Sequence, residues 1–156
     1  MDFLCFCNIL PLGWTTHFGR FYEMKKFLQS LENETFTAGE ELVSEAMIVA
    51  QKILVNMGLD FIPLSYVQFL KKYNGIKNAT SCLCGATIDD DMDIVDKNRD
   101  MPKPQNCILL GYNTRDLLCF NYKTKQYQIV DKDKFSVLDI FDDNNLGEAL
   151  TKIFNI

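Results

Sequence analysis

Residues 107–131 read Cys107-Ile-Leu-Leu-Gly-Tyr-Asn-Thr-Arg-Asp-Leu-Leu-Cys-Phe-Asn-Tyr-Lys-Thr-Lys-Gln-Tyr-Gln-Ile-Val-Asp131. The first six residues are a continuous apolar run of strand length, bounded by turn residues. Asn113-Thr-Arg-Asp116 is a turn. Residues 117–122 and 126–131 follow as two more strands, joined by Lys123-Thr124-Lys125, a polar hairpin connection. In the last strand Tyr127 and Ile129 alternate with Gln126 and Gln128, which predicts one half-exposed face. Consecutive strands with short connections predict a mostly antiparallel sheet.

Upstream of this block, residues 81–88 read as a short buried strand with Cys82, Leu83, Cys84 and Ala86. Residues 89–100 are acidic, with Met92, Ile94 and Val95 as the apolar minority, and predict a short helix or turn over the sheet. Met101-Pro-Lys-Pro104 is a breaker. Further back the period changes. Thr37-Ala-Gly-Glu40 fits a capping box and predicts a helix over 39–57, with Leu42, Ala46, Val49, Ala50, Ile53, Leu54 and Met57 at helical spacing. Gly58 is placed to end it. Pro63 introduces a second helix over 64–73, with apolar Tyr66, Phe69, Leu70 and Tyr73 and with Lys71 and Lys72 in the last turn. Asn74-Gly75 stops it. Downstream, Asn145 and Glu148 predict the cap of a final helix whose apolar face is Leu146, Ala149, Leu150, Ile153 and Phe154. The order α-α-β-(α)-β-β-β-α predicts an α+β fold, with helices packed against one face of the sheet.

The chain has 156 residues, 47% of them hydrophobic and 24% charged, which suits one globular domain and excludes collagen-like and coiled-coil chains. The formal charge is -5, from 16 Lys and Arg against 21 Asp and Glu. That argues against general nucleic-acid binding, which takes a basic stripe, and suits a basic protein partner. Six cysteines, Cys5, Cys7, Cys82, Cys84, Cys107 and Cys119, sit in a chain rich in core residues, with 12 Phe and 6 Tyr. The core needs no disulfide staples, and no paired C-x-x-C zinc knuckle is present, so they read as free thiols in a reducing, cytoplasmic setting. No Walker loop, G-x-G-x-x-G or G-x-S-x-G elbow occurs. The run Asp89-Asp90-Asp91-Met92-Asp93 fails as a calcium loop, because Ile94 stands where the sharp turn needs Gly. The single His17 lies in the N-terminal tail. No metal or cofactor is expected, and no enzymatic role; a small hydrolase is the reading from another class.

Residues 1–23 are apolar and aromatic but make a poor signal peptide. Asp2 replaces the basic start, Asn8 and Pro11 break the run, and no small-residue cleavage site follows. They are also too few for a membrane span. Met24-Lys-Lys-Phe-Leu28 looks like a conventional start. The expectation is therefore an N-terminal extension over 1–36, with the native domain starting near Met24 and a single domain over 37–156.

The segment from Ile62 through Pro63, Tyr66, Phe69, Leu70, Asn74 and Gly75 resembles the signature of the SUKH superfamily, the Smi/Knr family of cell-wall regulators and bacterial immunity proteins. Leu83-Cys84-Gly85-Ala86, residues 93–99, the 107–111 strand ending in Gly, Val130-Asp131 and the closing helix continue the likeness across 37–156. Ser65 departs from the family, which often carries an acidic residue there. The resemblance implies a non-enzymatic, cytoplasmic protein-binding module. It points first to an immunity protein that neutralises a polymorphic toxin, often a nuclease, and otherwise to a regulatory or scaffolding domain. For the signature residues themselves packing is the simpler role: Pro63 starts a helix, Tyr66, Phe69 and Leu70 anchor it, and Asn74-Gly75 turns the chain into the sheet.

Density of charge selects the docking residues. Asp89, Asp90, Asp91 and Asp93 form one acidic cluster, and Asp142 and Asp143 a second. No Lys or Arg falls within 89–96 or 139–148. A basic partner would be steered toward such groups in a salt-dependent way.

Overall fold

The computed structural model describes residues 12–87 and 91–156, with side chains from residue 22 onward. The three expected strands form as β4 (Cys107–Tyr112), β5 (Asp116–Asn121) and β6 (Gln126–Asp131). Alternation sorts their side chains between two faces. Ile108, Leu118, Phe120, Tyr127 and Ile129 point into the main core. Cys107, Leu109, Leu117, Cys119 and Val130 form a smaller cluster on the opposite face, packed by Met101, Tyr112 and Phe135. Gln128 belongs to this second face and is buried, not exposed, because it lies between its cross-strand partners Cys119 and Ile140.

Four more strands complete the sheet: β1 (Thr37–Ala38), β2 (Ile76–Lys77), β3 (Cys82–Leu83) and β7 (Val137–Asp142). The sheet runs β1 to β7 in sequence order, every pair antiparallel. Among the described residues five helices pack with it: α1 (Leu12–Glu32), α2 (Ser44–Asn56), α3 (Leu64–Lys72), α4 (Ile94–Asp100) and α5 (Leu146–Phe154), the last preceded by a 3-10 turn at Asp143–Asn145. The α+β class and the general order of elements are as the sequence predicts. α5 lies on β5, β6 and β7, and α1 lies across α5. The two helices meet closely because residue 147 is Gly: a Cβ there would come within 2.5 Å of the Met24 nitrogen. Phe27 of α1 sits edge-on to both Phe69 and Phe154, at 6.0 and 6.3 Å between ring centroids. Phe27 and Leu31 are fully buried in the main core.

Several expected boundaries shift. Thr37 and Ala38 pair with β2 as a strand, so Thr37 to Glu40 is not a capping box. α2 starts at Ser44 and has no side-chain cap. The sheet holds this segment: the Gly39 N–H donates to the Gly75 carbonyl at 2.9 Å. The strand expected over 81–88 is reduced to Cys82 and Leu83, with a single parallel bridge from Gly85 to Asp93 beyond it, and Ile88 lies outside the described residues. The final helix has Asn145 at its N-cap position without a side-chain cap bond.

Because β3 is so short, it leaves much of β4 without a neighbour. Asn98 of α4 fills the gap. Its amide donates to the Leu109 carbonyl at 2.9 Å and accepts the Leu109 N–H at 2.8 Å, as a paired strand would.

Candidate functional site

α3 is held by side chains that bond to backbone. Pro63 occupies the N-cap position with extended ψ, and Gly75 takes the positive φ of 90° that turns the chain toward β2. The Tyr66 hydroxyl lies 2.6 Å from the Cys84 carbonyl and 2.9 Å from the Leu110 carbonyl, so one proton serves two acceptors at the β4 bulge. Burial, and then the neighbouring Cys84, push the Tyr66 pKa well up, so the group stays neutral. Asn74 brackets Ala86, accepting its N–H at 2.9 Å and donating to its carbonyl at 3.2 Å. Gly85 has no room for a Cβ, which would fall 2.5 Å from the Asn74 carbonyl carbon.

On the solvent side of α3 lies an open groove of about 460 Å³ between α1, α3 and the start of α5. Met24 and Leu28 form one wall, Leu64 and Phe69 the other, and Leu146 lies at the α5 end. Its polar edge is a relay. Ser65 donates to Asp143 at 2.8 Å, which leaves its oxygen to accept from the buried Tyr127 hydroxyl. Burial raises the Tyr127 pKa, so this phenol acts as a donor. Among the described residues no histidine takes part in these bonds, and the Ser65 oxygen is already occupied by the Tyr127 proton. The arrangement positions Asp143 at the groove edge.

The acidic residues singled out by density fall in different places. Asp142 and Asp143 are exposed, and Asp143 lines the groove. Asp91 is exposed and pairs with Lys77. Asp93 is half-buried and caps α4, accepting the Val95 N–H at 3.4 Å, and burial raises its pKa. Asp89 and Asp90 lie outside the described residues. Lys77 is on β2 and Asp142 on β7, five strand spacings away, or about 24 Å along the sheet. The structure thus does not bring the described members of the two clusters together.

Cys82, Cys84, Cys107 and Cys119 are free and buried; Cys5 and Cys7 lie outside the described residues. Contact with Cys82 and full burial push the Cys84 thiol up, and contact with Cys107 and burial do the same to Cys119. The side chain of His17 lies outside the described residues. Among the described residues no group of three or more His, Cys, Asp or Glu could hold a metal, and no helix is long and apolar enough to cross a membrane. The groove wall contributed by Met24 and Leu28 was not legible in the sequence, where no helical spacing marks them. The Ser65–Asp143 link joins residues 78 apart in sequence, and no local pattern announces it.

Compared with known proteins, the chain matches no family model and no curated protein.

Proposed function

We propose that this chain is a non-enzymatic, SUKH-like protein-binding module, and specifically a cytoplasmic immunity protein that neutralises a bacterial toxin by covering it. The observation that supports this most is the groove: an open, largely apolar channel on the signature helix with Asp143 fixed at its edge by Ser65. Such a channel suits an apolar knob from another protein, and Asp142 with Asp143 suits a Lys or Arg beside it. The formal charge of -5 favours a basic partner, as a nuclease toxin would be. The residues that carry the resemblance have a structural role here, with Tyr66 and Asn74 both bonded to buried backbone. Ser65 remains a departure from the family pattern. Where the family often has an acid, this chain has a serine that holds the carboxylate of Asp143 in its place.

Co-expression tests the reading. A toxin domain encoded beside this chain is produced alone and together with it, and growth is followed. Restored growth with a co-purifying complex is the expected result. Arrest that persists although both proteins accumulate would refute it.

A further inference from the structure

Eleven large apolar side chains are exposed among the described residues, and seven of them fall between Val43 and Leu64. Such concentration on one helix and the loop after it is not the scatter of an ordinary surface. α2 explains part of it by its angles. Met47, Ala50 and Leu54 take the buried side, which leaves Ile48 and Val55, seven residues apart, on one outward stripe. Gln51 lies beside that stripe and accepts the Ile62 N–H at 2.8 Å, so the α2–α3 loop is pinned against it. Phe61 and Leu64 flank the pinned residue at 63% and 69% exposure, and Ile48 and Val55 stand at 54% and 40%. Leu64 also lines the groove, so the two surfaces join.

The charges carried by this stretch of chain are mostly acidic, with Lys125 and, in the groove lining, Lys72 as basic neighbours. Residues 39–64 carry Glu40, Glu41, Glu45 and Asp60 against a single Lys52. Asp60 pairs with Lys125 at 3.7 Å, while Glu40, Glu41 and Glu45 form no ion pair with a described residue. Self-association through this face would bring two such acidic rims together, which like charge opposes. We infer that the outer face of α2, with Phe61 and Leu64, is the main docking surface, and that its occupant is a protein presenting an apolar patch ringed by Lys or Arg. This rests on the protein-binding reading and adds the face and the chemistry of the partner. Asp142 and Asp143 then lie at the groove end of the same surface.

The test uses the full chain, isotope-labelled for amide spectra, and two amphipathic helical peptides of identical pattern. One is built of Leu and Lys, the other of Leu and Glu. The Leu/Lys peptide should shift amides within 45–57 and 60–65 and weaken as salt rises. The Leu/Glu peptide should shift none of them. The exposed double variant Ile48→Glu with Phe61→Glu should keep the native spectrum elsewhere and lose about tenfold or more in affinity. Equal binding of both peptides, shifts confined to the groove or to β7, no shifts at all, or a concentration-dependent dimer that Ile48→Glu abolishes would each overturn the inference. Failure of growth rescue with these shifts intact would count against the toxin reading alone.

Discussion

Asn74 and Tyr66 are where single side chains carry the most structure. Each of the two makes two contacts with backbone groups of buried residues. Replacing Asn74 with Ala leaves the Ala86 N–H and carbonyl without their side-chain partner, at a cost of about 3 kcal/mol. Tyr66→Phe keeps the ring in the core and removes only the shared proton, so about 1.5 kcal/mol is expected. Urea denaturation should rank them in that order; a Tyr66→Phe loss equal to or above that of Asn74→Ala would contradict the assignment. The sequence made the packing role of both visible through the helix spacing and the Asn-Gly stop. It did not reveal that the Asn74 amide substitutes for a strand partner, since that depends on Gly39 and Gly85 coming against Asn74 from distant parts of the chain. Asp93 shows the limit of reading by charge density. Its carboxylate caps α4, and a cap and a docking group look alike in sequence.

At the scale of elements, the long apolar runs were legible and the short or irregular strands were not. β4, β5 and β6 could be placed within a residue because the apolar run of β4, the alternation in β6 and the turns between the strands agree. β1 and β2 have two residues each, too few to show a period, and of the strand expected over 81–88 only Cys82 and Leu83 form β3. β7 has six, but its pairing with β6 shifts register beside Val130, so Leu138 falls out of step and the alternation is lost. Val137, Leu138 and Ile140 are also exposed on this edge, so burial gives no signal either. α1 joins the core through Phe27 and Leu31 and through the close approach of Gly147. Gly147→Ala should force the α1 backbone away from α5, because the atoms in the way are main chain and cannot rotate aside. A loss of about 2 kcal/mol is expected in thermal or urea unfolding. A neutral or stabilising effect, as ordinary helix propensity would give, would show that α1 does not pack there.

The whole molecule combines an acidic charge with a continuous surface of groove, Leu64, Phe61 and the outer face of α2. Steering by charge should appear in the rate of encounter, and the apolar contacts in the lifetime of the complex. Fold class and charge were both legible in the sequence. The surface was not, because the same apolar spacing in α2 that predicts a core face also includes Val49 and Met57, which face outward. The most direct measurement is the association rate between this chain and the partner proposed for it, a basic toxin domain, at low and moderate salt, for the wild type and for Asp142→Asn with Asp143→Asn. The account predicts a specific complex, a rate that falls as salt rises, and a slower, less salt-sensitive rate for the variant whose fold is unchanged. Absence of a complex with the wild type, or one rate shared by both proteins at both salt levels, would contradict it.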